Sequence, residues 1–200
     1  MDPKLLDKIR EINKDYYSIS DLTKILGLKR DSLYITLNRW VTSGWIVRIG
    51  QGKYQLNNQI INEKVIANQE YSPSYLSFES ALAAYGVLNQ IAYTLTFATS
   101  MMPKKMQIMG KNIEFKKMSN KYFFAYQLTG GLYIADKEKA LVDSLYLMSL
   151  GGDKLDLDEL NLNKLSKTRF LKFLRPFPKK TKKLAKILLA RFNKSNITVK

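Results

Sequence analysis

Between Ser18 and Ser43 apolar residues recur three and four positions apart, and the pattern breaks once, at Gly27. Leu22, Ile25 and Leu26 form the first stripe, preceded by Ser18 and Asp21, a shortened capping box that marks a helix start. Gly27 supplies the left-handed conformation that stops a helix, so the chain turns and a second helix is expected from near Lys29 to Ser43. In that second segment Leu33, Leu37, Trp40 and Val41 fall on one face, and Asp31, Tyr34, Ile35, Asn38, Arg39 and Thr42 on the other. After Gly44 the period shortens to two, predicting two short strands around Gly50-Gln51-Gly52, where glycines permit a tight hairpin.

Helix, sharp turn, helix and hairpin in this order predict a winged helix-turn-helix, with the polar side of the second helix turned to a DNA major groove. Lys29 and Arg30 stand where such a helix enters the groove, and Tyr34, Asn38 and Arg39 offer donors and acceptors to base edges or phosphates. Ile35 has two readings: an apolar contact to a thymine methyl, or a solitary exposed hydrophobic residue of the ordinary kind. Arg48, Gln51 and Lys53 project near the hairpin tip, placed either for phosphate or minor-groove contact or as a plain solvated hairpin. Gly52-Lys53 is not a phosphate-binding P-loop, because a glycine separated by four residues from Gly-Lys and the helix that should follow are both missing.

Further along, Ser77 to Gly86 reads as a short helix capped by Ser77 and stopped by Gly86. Ala92–Thr99, Lys105–Met109 and Asn112–Met118 alternate as strands with a turn at Gly110-Lys111, and Tyr133-Ile134-Ala135 is strand-like. Asp136 is expected to cap a helix running to about Leu147, with Leu141, Leu145 and Met148 on its apolar side. Phe170, Leu171, Phe173 and Leu174, a break at Arg175-Pro176-Phe177-Pro178, then Leu184, Ile187, Leu188 and Phe192 predict two basic amphipathic helices.

Charge separates these regions. Residues 1–68 carry 11 basic and 7 acidic groups, 69–160 carry 9 and 10, and 161–200 carry 13 and none, so most of the net +16 lies in the tail. Segregated positive charge is the footprint of a polyanion partner, and Lys179, Lys180, Lys182, Lys183 and Lys186 are its candidates. A membrane-surface helix and a solvated Lys-rich face share this appearance, and the helix-turn-helix tips the reading to nucleic acid. No apolar run reaches the roughly eighteen residues of a membrane span, and the charged start Asp2, Lys4, Asp7, Lys8 lacks a signal core, so a cytoplasmic protein is expected.

The chain has no Cys and no His, which excludes disulfides, thiolate chemistry, the Ser-His-Asp triad and His metal sites. Glu138, Lys139 and Asp143 form one compact polar set, read as cap, dipole and ion-pair residues rather than catalytic ones. Asp153, Asp156, Asp158 and Glu159 lack the spacing and central Gly of a calcium loop and are expected as an acidic loop leading into a helix near Glu159. Neither a catalytic residue nor a cofactor or metal is expected.

Tyr75-Leu76-Ser77-Phe78-Glu79-Ser80-Ala81-Leu82, Tyr85-Gly86 and Tyr133-Ile134-Ala135-Asp136-Lys137-Glu138-Lys139-Ala140-Leu141-Val142-Asp143, with Gly52-Lys53-Tyr54, resemble the AbiEi-type antitoxin regulators of abortive-infection systems. The family's Thr-Pro before Glu-Lys-Ala is Asp136-Lys137 here, which keeps a capping residue and loses proline at the first helical position. The resemblance spans roughly residues 5 to 150. It implies a repressor that binds inverted repeats at its own promoter and counters a nucleotidyltransferase-like toxin encoded nearby, as in type IV toxin–antitoxin phage defence, without requiring a stable complex.

The expected architecture is therefore α+β: a winged helix-turn-helix over 1–68, a mixed α/β domain over 69–160, and a basic helical C-terminus over 161–200 packed on or extending the second domain. The expected function is a non-enzymatic DNA-binding repressor and antitoxin. The alternative, since a fold does not fix a function, is a winged-helix adaptor for protein or RNA without a toxin partner.

Overall fold

The computed structural model describes residues 3–12, 14–57, 62–89, 93–152 and 155–195. The chain is mixed α+β with two separate sheets. It divides into two compact units, Met1–Ile66 with Gln107–Gly110, and Ala67–Met106 with Lys111–Lys200. Among the described residues no helix is long and apolar enough to cross a membrane.

The first unit runs α1 (Pro3–Ile12), β1 (Tyr17–Ser18), α2 (Ile19–Leu26), α3 (Arg30–Thr42), β2 (Ile46–Gly50) and β3 (Lys53–Leu56). Its antiparallel sheet has the order β1-β3-β2 and pairs Tyr17 with Tyr54 and Ile46 with Leu56. Leu6 and Ile9 of α1, Leu22 and Leu26 of α2, and Leu33, Leu37 and Trp40 of α3 meet Tyr17, Ile46, Tyr54 and Leu56 in one core. Tyr17 ties the outer helix to this core, its hydroxyl donating to the Ile9 carbonyl at 2.7 Å and accepting the Lys14 N–H at 3.0 Å. α1 and β1 were not anticipated, although Leu5, Leu6 and Ile9 carry helical spacing.

α4 (Glu63–Glu70) bridges the two units in sequence. The elements that follow are β4 (Ser74–Leu76), α5 (Phe78–Ala84), β5 (Thr94–Thr99), β6 (Lys104–Ile108), β7 (Lys111–Lys117), β8 (Tyr126–Thr129), β9 (Leu132–Ala135), α6 (Lys137–Ser149), α7 (Lys167–Leu174) and α8 (Lys179–Ser195). The six strands order as β6-β7-β5-β4-β9-β8, parallel at β5/β7 and β4/β9 and antiparallel at β4/β5 and β8/β9. α6 is the central helix, packed against α5, α7 and α8. Its first nine residues from Glu138 to Leu145 with Lys137 include an unbroken buried run, Glu138 through Leu145, rather than one apolar stripe.

Several expectations need correction. Val41 lies outside the core at 37% exposure, while its neighbour Trp40 is buried. Only Gly52 of the two hairpin glycines has positive φ, +67°. The turn between β6 and β7 is Met109-Gly110, both in the left-handed region, so Lys111 is the first residue of β7 and not part of the turn. A strand, β4, precedes α5, so the order between Tyr71 and Leu150 does not begin with a helix. Ser77 and Asp136 occupy N-cap positions without capping through their side chains, which are engaged elsewhere. No helix starts at Glu159; Leu160 instead bridges Leu88, and the next helical turn is a short 3-10 segment at Leu162–Lys164. Asp153 lies outside the described residues. Leu171 and Ile187 are exposed, their places in the core being taken by Phe170, Leu174, Thr181, Ala185 and Leu188.

Candidate nucleic-acid interface

Local chemistry fixes the angle at which α3 leaves α2. The Ser18 hydroxyl accepts the Asp21 N–H at 3.1 Å while the Asp21 carboxylate accepts the Ser18 N–H at 3.0 Å, a reciprocal box that satisfies orphan donors of the first turn. Lys14 reaches the other Asp21 oxygen at 3.0 Å. These hydrogen bonds, Ser18's above all, hold the Asp21 carboxyl at about 2. At the other end Gly27 has φ 65° and its N–H bonds the Thr23 carbonyl, after which Lys29 is extended and α3 begins at Arg30.

Leu33, Leu37 and Trp40 anchor one side of α3, each at 1% exposure or less. The opposite side is open: Asp31, Tyr34, Ile35, Asn38, Arg39 and Thr42 are all exposed, as are Lys29 and Arg30 at the N-terminal end. Ile35 is 55% exposed, more than any other large apolar side chain of α3. The Arg30 guanidinium lies 5.9 Å from the Tyr34 ring centre, and Thr42 folds its hydroxyl back to the Asn38 carbonyl at 3.0 Å. No ion pair holds Lys29, Arg30 or Arg39 among the described residues.

The β2–β3 hairpin carries the remaining candidates. Arg48 and Gln51 are exposed, and Arg48 Nε donates to the Gly50 carbonyl at 3.3 Å across a register shift between Arg48 and Gly50. Lys53 is half-buried, its ammonium 6.0 Å from the Tyr16 ring centre. Gly52 cannot be replaced cheaply, since its positive φ is joined by an Ile19 carbon 3.3 Å from where a Cβ would stand. In the second unit Lys179, Lys180, Lys182, Lys183 and Lys186 are all exposed on α8.

Glu138, Lys139 and Asp143 are drawn inward. Lys139 and Asp143 form an ion pair at 0% exposure, Tyr75 accepts from Lys139 at 3.1 Å and donates to Asp143 at 3.1 Å, and Ser77 donates to Asp143 at 2.9 Å. The Lys139 ammonium also faces the rings of Phe124 at 4.8 Å, Tyr75 at 5.4 Å and Phe177 at 5.6 Å. Burial pushes the Asp143 carboxyl up, the Lys139 ammonium down and the Tyr75 hydroxyl well up. Glu138 accepts the Ser166 N–H at 2.9 Å, and Asp136 takes Arg169 at 2.9 Å, which explains why neither caps α6. The i, i+4 spacing points to the Lys139–Asp143 contact, but the complete burial of the pair does not follow from that spacing. Among the described residues no group of three acidic side chains is placed to hold a metal ion.

The chain matches no protein-family model, and no curated protein is found similar to it.

Proposed function

We propose that the first unit is a winged helix-turn-helix and that the protein is a duplex-DNA-binding transcriptional repressor, with α3 as the groove-entering helix and the β2–β3 hairpin as the wing. The observation that carries this reading is the division of α3: Leu33, Leu37 and Trp40 are sealed in the core while Arg30, Tyr34, Ile35, Asn38 and Arg39 stand unoccupied on the other side. A face that presents a guanidinium, an amide, a phenol and one branched apolar group has the functional groups that duplex base edges and thymine methyls complement. Arg48 and Gln51 on the hairpin, with Lys53 below them, supply contacts to the flanking backbone.

The antitoxin role rests on the resemblance to AbiEi-type regulators. Four of the residues that carry it, Tyr75, Ser77, Lys139 and Asp143, join the β4–α5 segment to α6, and these four support a shared scaffold and not a shared active site. Gel-shift of the DNA upstream of this reading frame, at physiological salt, tests the repressor reading; binding no tighter than to unrelated duplex would refute it. Co-expression with the product of the adjacent reading frame tests the antitoxin reading, rescue of growth being the expected result. The exposed Ile35 and Val41 favour one second reading, a protein-docking adaptor; a partner protein that displaces promoter duplex from α3 would establish it.

A further inference from the structure

We propose that the outward side of α8 is a second phosphate-binding surface, one that holds the backbone of duplex DNA without reading its sequence. α8 turns Thr181, Ala185, Leu188 and Phe192 into the second unit. Opposite them Lys179, Lys183 and Lys186 recur at i, i+4 and i+7, flanked by Lys180 and Lys182, all exposed. At 1.5 Å per residue the row is about 10 Å long, and duplex DNA presents roughly six phosphate charges over that distance.

This placement of charge works against the helix itself. Three of the five lysines, Lys179, Lys180 and Lys182, fall in the first turn, where the positive end of the helix dipole repels cations, and that turn has no acidic residue. Lys179/Lys183 and Lys182/Lys186 are like-charge pairs at i, i+4. Nearby arginines are neutralised, Arg169 by Asp136 and Arg191 by Asp158, whereas none of the five lysines has an ion pair among the described residues. A surface selected only for solubility intersperses both signs. An unpaired, self-repelling row fits an external polyanion.

The same geometry selects the polyanion. A helix that lies on lipid needs a free apolar face, and that of α8 is already consumed by its own unit, leaving Ile187 as its exposed large apolar side chain. Single strands are held by aromatic platforms on which bases stack, and Phe170, Phe177 and Phe192 are buried. A duplex backbone asks only for charge.

The proposal deepens the DNA reading of the first unit but rests on residues of the second unit alone, so the two fail separately. The full chain is titrated with a short mixed-sequence DNA duplex by fluorescence anisotropy over a range of salt. Lys179→Gln/Lys183→Gln/Lys186→Gln should flatten the slope of log affinity against log salt by about 2–3, at about 0.9 per lost phosphate contact. An unchanged slope overturns the proposal. Tighter binding of poly(U), or of phosphatidylserine vesicles, than of duplex, lost in the same variant, also overturns it and moves the surface to single strands or to lipid. Arg30→Ala/Arg39→Ala should keep the mixed-sequence slope within about 2 while losing enrichment from a randomised duplex pool. Absence of enrichment by the wild type, with the α8 effect intact, would sink the first-unit reading alone.

Discussion

Lys139 donates to the carboxylate of Asp143 one turn along α6, and neither side chain touches solvent. Desolvation opposes both charges, raising the carboxyl and lowering the ammonium, and the pair persists because Tyr75 and Ser77 complete the hydrogen bonding around Asp143. Lys139→Met should therefore cost about 3–5 kcal/mol, since it strands a buried carboxylate, while Lys139→Met combined with Asp143→Leu should cost clearly less. Urea unfolding of both variants checks this. Equal losses would show that the interaction matters only as packing.

The Ser18–Asp21 box gives a pH-dependent contribution of known sign. Asp21 is lowered from 3.8 to about 2 by the Ser18 hydroxyl, the Ser18 N–H and Lys14, so the folded form holds the ionised carboxyl more tightly than the unfolded form does. Its contribution is complete above the unfolded value and disappears as pH falls through about 2. Ser18→Ala should move the Asp21 carboxyl back up toward 3.8 in an NMR titration. It should also lower stability near neutral pH by about 1 kcal/mol. A titration unmoved by the substitution would contradict the box.

Gly27 tests the turn before α3. Nothing lies within 4 Å of the place a Cβ would take, so the cost of Gly27→Ala comes from its φ of +65° alone. A loss of about 1–2 kcal/mol is expected in thermal or denaturant unfolding, and a smaller one for Gly27→Asn. Unaltered stability in the alanine variant would mean that the left-handed residue does not set the turn.

Arg39 and Ile35 are exposed and should be nearly silent in stability. Arg39→Ala should weaken binding to the upstream duplex about tenfold to a hundredfold, the range of one good base contact, and leave the melting temperature within scatter. Ile35→Ala should selectively reduce binding to sites carrying thymine at the contacted step. Loss of stability with intact DNA binding, for either, would place the side chain in the fold and not at the interface.

How much of this was legible depends on whether a residue's role was local. Ser18, Asp21 and Gly27 act within a few residues of themselves, so capping and turn chemistry located α2 and the start of α3 nearly to the residue. Leu33, Leu37 and Trp40 follow from the period alone, whereas Val41, one residue further round the helix from Trp40, lies beyond the buried face. Ser77 stands at the N-cap position that the pattern marks, but its hydroxyl goes to Asp143, 66 residues away; Phe78, at φ 54°, turns the chain there, and no local pattern encodes that. β4 escaped for a similar reason. Three residues are too few to show a period, and its place between β5 and β9 is set by long-range pairing.

The account turns on the free side of α3 entering a duplex groove. Titrating the isotope-labelled protein with duplex from upstream of its own reading frame, and following backbone amide shifts, tests it most directly. The largest changes should cluster at Arg30–Thr42 and at Arg48–Lys53, with Leu33, Leu37 and Trp40 side chains staying buried throughout. Saturation by duplex with α3 amides unmoved would contradict it.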